Sequence, residues 1–192
     1  MSPATRHSLT NFDVAERQLN QAIHLFFEGG DSVSIHTLAE AASQVIYDTR
    51  AKYGAESKMR DTDIIKPEFK RDWLASLAKS KNFFKHADRD PADVHEFKDE
   101  FNDFSLLDAV NMYLTAKREW TPETIVFVQW YAIRFPAMVK KNNEFASLMD
   151  GYRSSIQMDG ESFKALCLKA LRELRSSSRS VPGITLSFGA PE

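Results

Sequence analysis

An all-α helical bundle is the fold class this sequence predicts, and three observations point to it. Apolar residues recur at three- and four-residue intervals through most of the chain, the spacing of one face of a helix. The seven glycines and seven prolines are few, and most fall where those periodic stretches end. Strand-like alternation is clearest in Ile184-Thr185-Leu186-Ser187-Phe188, a lone segment with no evident partner. The expectation is a bundle of about six to seven helices over residues 1–175, with 176–192 a flexible or extended tail rich in Ser, Gly and Pro.

Residues 1–11 read as a frayed end. From Asp13 a stripe of Ala15, Leu19, Ala22, Ile23, Phe26 and Phe27 marks the first helix, which Gly29-Gly30 terminates because glycine accepts the left-handed conformation. A second helix begins near Ser34, carries Ile35, Leu38, Ala39, Ala42, Val45 and Ile46, and runs out near Tyr53-Gly54. So short a turn implies an antiparallel hairpin. Residues 54–66 are polar and aperiodic, a loop. Pro67 opens a third helix with Phe69, Trp73, Leu77 and Phe84 on one side. Pro91, capped by Asp90, starts another, whose stripe of Val94, Phe97, Phe101 and Phe104 continues through Leu107, Val110 and Leu114 as one helix or two. Thr121-Pro122-Glu123 combines a capping hydroxyl, a proline at the first helical position and an acid near the positive end of the helix dipole. The helix it opens is apolar nearly all round from Ile125 to Phe135, as a central buried helix is. Further helices span about 137–149 and 161–176.

Composition bounds the function. A chain of 192 residues with 43% hydrophobic residues and fourteen Phe can build a sizeable core in one domain. The single Cys167 excludes an intramolecular disulfide and, in an apolar helical repeat, reads as a small buried hydrophobe. No apolar run reaches membrane-span length, and Met1-Ser2-Pro3-Ala4-Thr5-Arg6 lacks the apolar stretch of a signal peptide, so a cytoplasmic protein without a membrane partner is expected. A net charge of −2 argues against a dedicated non-specific nucleic-acid binder but not against a small basic pocket around one RNA segment.

Chemistry-bearing residues concentrate in Lys81-Asn82-Phe83-Phe84-Lys85-His86-Ala87-Asp88-Arg89-Asp90-Pro91. If the third helix continues to Arg89, Asn82, His86 and Arg89 share a face, and Lys85 and Arg89 stack one turn apart. Lys81 falls on the apolar stripe, a place for an ammonium that reaches a cleft or snorkels. Lys81, Lys85 and Arg89 are the anion-binding candidates, with Asn82 and His86 the catalytic ones: the cations grip a phosphate while His86 moves a proton. The bland alternative has the phenylalanines anchoring the helix and the charges solvated.

The order Lys81, Asn82, three residues, His86 resembles the signature of HEPN domains, helical nucleotide-binding and ribonuclease domains in which an Arg and a polar residue, often Asn, precede a His. The resemblance implies a metal-independent endoribonuclease of a defence or toxin system, homodimeric, with both motifs facing a shared cleft. It implies that His86 acts on the ribose 2′-hydroxyl or the leaving oxygen, with Asn82 as the polar motif residue. Lys81 stands where the family has Arg, a point charge replacing a planar two-pronged donor.

A metal site is the weaker reading of His86, Asp88, Asp90, Asp93, His95 and Glu96, because the histidines lack the four-residue spacing of a zinc motif and the acids lack a calcium loop's central glycine. No metal and no cofactor is expected; neither a phosphate-binding glycine loop nor a nucleophile elbow is present. His24 and His36 read as boundary or core residues, with Glu40 one turn from His36 and able to hold its ring. His36, Glu40 and His86 meet in a cleft if the first two helices pack near the third. Lys164, Lys169, Arg172, Arg175 and Arg179 make the last helix basic, which its dipole explains, a docking surface being the alternative. The leading functional expectation is a self-associating helical interaction or regulatory module with an anion site around Asn82–His86, and RNA or a protein as its partner.

Overall fold

The computed structural model describes residues 6–86, 88, 91–139, 144–156 and 159–176. Among them the chain is all-α, a helical bundle without strands: α1 Asn11–Glu28, α2 Ser32–Asp48, α3 Arg50–Tyr53, α4 Pro67–Lys85, α5 Phe101–Lys117, α6 Pro122–Arg134, α7 Glu144–Ser155 and α8 Gly160–Ser176. A 3-10 turn, Pro136–Met138, follows α6. No described helix is long and apolar enough to cross a membrane.

Local chemistry explains the boundaries. Thr10 and Asp13 form a reciprocal capping box at the start of α1. Gly29, at φ 68°, adopts the left-handed conformation that lets the Gly30 N–H reach back to the Leu25 carbonyl, so α1 stops and α2 folds against it. Asp31 caps α2 through the Ser34 N–H. At the far end Thr49 departs from helical geometry while its hydroxyl bonds back to the Val45 carbonyl, so α2 ends at Asp48 and the short α3 closes on Gly54. The single helix expected to Tyr53 is therefore two, and the helix count exceeds the expected six to seven.

The core forms where α1, α2, α5, α6 and α8 pack on one another. The α6 helix is central: Val126, Phe127, Val128, Trp130, Tyr131 and Ala132 are all buried. Phe26 meets Phe127 and Trp130 edge-on at 5.8 and 4.8 Å. Cys167 is buried in the same core, and its apolar surroundings push the thiol up to about 12, which makes it an inert hydrophobe. Three cations of α8 are used structurally: Lys164 lies over the Phe26 ring, Arg172 faces Glu28 and Arg175 faces Glu123. His24 sits at that junction, 3.1 Å from Glu123, the boundary role expected of it.

Two further expectations need correction. The helix expected from Pro91 begins only at Phe101. Residues 91–100 instead run as turns and irregular chain, in which Phe97 folds back onto Phe84 and His36 while Val94 stays 93% exposed. The three- and four-residue spacing of Val94, Phe97 and Phe101 fits a helical pattern, although within 91–100 only His95 and Phe97 are partly covered. His95 accordingly lies on no helix; its Nε2 meets the Ser80 hydroxyl at 2.8 Å. Where one helix was expected over 137–149, the described residues hold the 3-10 turn Pro136–Met138 and then α7, which begins at Glu144 and runs on to Ser155. The Asp90 cap, the stacking of Arg89, Arg179 and the Ile184–Phe188 segment lie outside the described residues.

Candidate functional site

The α4 helix is the least embedded of the long helices before α6. Of its 19 residues only Ser80 is buried, and Phe69, Leu74 and Phe83 are partly exposed. It packs chiefly on α2, and between α4, α2, α5 and the loop 54–66 lies a cleft of about 550 Å³. Its walls are Met59, Trp73, Leu74, Leu77, Phe101 and Phe104; its polar lining includes His36, Glu40, Arg60 and Lys81.

The polar groups form one network. Glu40 Oε2 lies 3.7 Å from both Arg60 Nη2 and Lys81 Nζ, and all three side chains are nearly enclosed. Lys81 also donates to Gln44 Oε1 at 3.0 Å, and Arg60 donates to Ser43 Oγ at 2.8 Å while its guanidinium lies over the Tyr47 ring. Burial presses the Lys81 ammonium below the usual lysine range, with the Glu40 carboxylate opposing that shift. The loop that delivers Arg60 is fixed by Asp108 of α5, whose oxygens accept from the Ser57 hydroxyl at 2.6 Å and the Met59 N–H at 3.2 Å. Trp73 clamps the same loop from α4, donating through Nε1 to the Met59 carbonyl at 2.8 Å. Burial raises the Asp108 carboxyl above the ordinary range, against the pull of these two donors.

His36 stands at the inner end, 3% exposed, its ring against Phe84 and Phe97. Glu40 does not hold it, contrary to expectation, because that carboxylate is committed to the two cations. Asn102 of α5 holds it instead, Oδ1 lying 3.2 Å from Nδ1. Burial drives the ring's protonation below the ordinary histidine range, outweighing Glu40 and the Asn102 bond, so the ring is neutral at pH 7.

The structure separates the sequence candidates. Lys81 is the one that reaches a cleft, toward α2. Asn82 and Lys85 are exposed and His86 is partly exposed. The α4 helix ends at Lys85, and His86 is its cap at φ −125°, ψ 55°, bonding back through its N–H to the Asn82 carbonyl. The continuous helix to Arg89 that would align Asn82, His86 and Arg89 is thus absent, and Arg89 itself lies outside the described residues. Sequence reading paired His36 with Glu40 but missed Arg60, Asn102 and Asp108. Asp108 carried a signal, a carboxylate within the apolar run Leu106-Leu107-Asp108-Ala109-Val110; Arg60, in an aperiodic loop, carried none.

A smaller cavity of about 350 Å³ between α6 and α7 is lined by Asp150 and Arg153, which pair with each other at 2.9 Å. Arg153 also donates to the Ile133 and Ala132 carbonyls, so its donors serve the fold. Among the described residues no group of His, Cys, Asp and Glu has the arrangement of a metal site.

The α5 helix also carries a titratable group, Asp103, that is not among the residues lining the cleft. Burial raises the Asp103 carboxyl of α5 to about 6, against the attraction of Lys164 and Arg134. A carboxyl that holds its proton more tightly when folded favours the folded state below pH 4 and forfeits that advantage as pH rises from about 4 to 6. Asp103→Asn is therefore expected to gain up to about 3 kcal/mol relative to wild type between pH 4 and pH 7. Urea melts of both proteins at the two pH values measure this; His36 contributes with the opposite slope but equally to both. A difference that does not vary with pH would contradict the assignment.

No protein-family model, curated protein or solved structure matches this chain.

Proposed function

We propose that this protein is a helical regulatory module that binds a small, largely apolar organic molecule in the cleft between α2, α4 and α5. The observation that carries the reading is the cleft itself: about 550 Å³, aromatic and aliphatic walls, and a few convergent polar groups at its inner side. Ligand sites have this size and this division between apolar walls and sparse polar anchors. The ion network makes a poor receptor for a bare anion, since both cations already face Glu40. Occupancy would bear on α4, which has a single buried residue and is the least embedded of the long helices before α6, and a displaced helix is the regulatory output.

The test uses indole and the matched carbocycle indene as probes of the full chain, followed by amide NMR. At least one is expected to perturb resonances of α2, α4 and α5, and Leu77→Trp, which fills the cleft, is expected to abolish the perturbation. Binding that survives the filled cleft, or no binding by either probe, counts against the proposal.

A second reading, metal-independent RNA cleavage by a HEPN-like site, is favoured by the accessibility of Asn82, Lys85 and His86. It predicts cleavage of single-stranded RNA in the presence of EDTA that His86→Ala abolishes. Equal cleavage by both proteins would remove it.

A further inference from the structure

One residue that lines the cleft carries a polar atom without a hydrogen-bond partner among the described residues, and its protonation follows from its neighbours. Asn102 Nδ2 donates to the Ser32 carbonyl at 3.0 Å, which fixes the orientation of the amide. Its Oδ1 is then the atom facing His36 Nδ1 at 3.2 Å. An amide oxygen only accepts, so Nδ1 must carry the hydrogen. A neutral imidazole has one N–H, and Nε2 is left as a bare lone pair. That atom is buried and meets no hydrogen-bond partner among the described residues. Buried acceptors are almost always satisfied, so an enclosed orphan on a residue that lines a cleft marks a place where a donor enters once the ring's cover shifts.

We infer that His36 Nε2 is the recognition atom of the cleft, accepting a hydrogen bond from a neutral ring N–H or aromatic hydroxyl of the ligand. The inference rests on the ligand-binding reading above and names the class of molecule. The walls supply the aromatic part: Trp73, Phe101 and Phe104 accept a planar ring. The lone pair supplies the polar part and repels a carboxylate or phosphate oxygen. Lys81 and Arg60 do not reverse that choice, because Lys81 is held by Glu40 and Gln44 and Arg60 by Glu40 and Ser43. An aromatic heterocycle with an N–H fits this arrangement and an aromatic acid does not.

The experiment compares indole with indene, which share a shape but differ in the N–H, and adds benzoate as the anionic probe. Wild type and His36→Phe are titrated with each, a replacement that keeps a ring against Phe84 and Phe97. The ratio of indole to indene affinity is expected to fall about tenfold in His36→Phe, the effect of one hydrogen bond to a buried acceptor. Taking the ratio cancels the different hydration of the two probes. Independently of the variant, the ring ¹⁵N resonance of His36 Nε2 in the wild-type protein is expected to move with indole and not with indene. Should His36→Phe fail to fold, that resonance decides the matter alone. An unchanged affinity ratio, an Nε2 resonance indifferent to indole, or tighter binding of benzoate than of indole would each overturn the inference while leaving the cleft a binding site. Failure of every probe to bind would overturn the ligand-binding reading and this inference with it.

Discussion

Glu40→Ala is expected to destabilise the protein by about 3–5 kcal/mol, the largest loss for any single change in the cleft. The Glu40 side chain is 10% exposed, and its carboxylate is shared by Arg60 and Lys81, each 3.7 Å from the same oxygen. Its removal leaves the two cations enclosed without the carboxylate they share, and the cost is their desolvation together with their mutual repulsion. The two cannot escape equally. Lysine can shed its proton, and burial already moves Lys81 in that direction, whereas a guanidinium keeps its charge throughout the accessible pH range. The loss in Glu40→Ala should therefore shrink as pH rises from 7 to 9, and the double variant Glu40→Ala with Lys81→Met should recover part of it at pH 7. Chemical denaturation across that pH range measures both effects. A loss below about 1 kcal/mol would mean that water screens the triad as it does a surface pair.

Phe127→Ala is the second large effect, with an expected loss of about 3–5 kcal/mol. Phe127 is fully buried on α6, with Phe26 at 5.8 Å, Trp130 at 5.7 Å and Tyr131 at 6.2 Å between ring centroids. Large rigid rings around the deleted side chain cannot close the void, so the cavity contribution adds nearly in full to the lost transfer energy. Gln129, two residues away on the exposed side of the same helix, provides the control: Gln129→Ala should change stability by no more than about 0.5 kcal/mol. Urea unfolding followed by Trp fluorescence compares them, and similar losses at the two positions would show that α6 is not central to the core.

The helical fold was legible because its signals are local. A capping threonine followed by proline marks the start of α6, and Gly29 marks the end of α1; each acts through its own backbone neighbours. The misreading of residues 91–100 shows the limit of that logic. Phe97 and Phe101 stand four apart, yet Phe97 is covered by α4 and α2 from outside its own segment, so its spacing was no evidence for a helix there. The cleft was legible in part. Lys81 stood out as an ammonium on an apolar stripe, and the Glu40 carboxylate that accounts for it lies 41 positions earlier, brought close by the packing of α4 on α2. Arg60 arrives on an aperiodic loop whose course is set by Asp108, a long-range hydrogen-bonding partner that local periodicity cannot encode. Asn102 is a similar case: its role depends on holding the Ser32 carbonyl and the His36 ring at once.

The sparse seating of α4 carries a kinetic consequence. Folded proteins open in segments of unequal stability, and a helix with one buried residue belongs to the segments that open first. Such an opening breaks the Lys81 contacts with Glu40 and Gln44 and the Trp73 bond to the Met59 carbonyl, and it is smaller than global unfolding. For the proposed ligand, entry that waits on that opening would make association rates level off at high ligand concentration instead of rising with it.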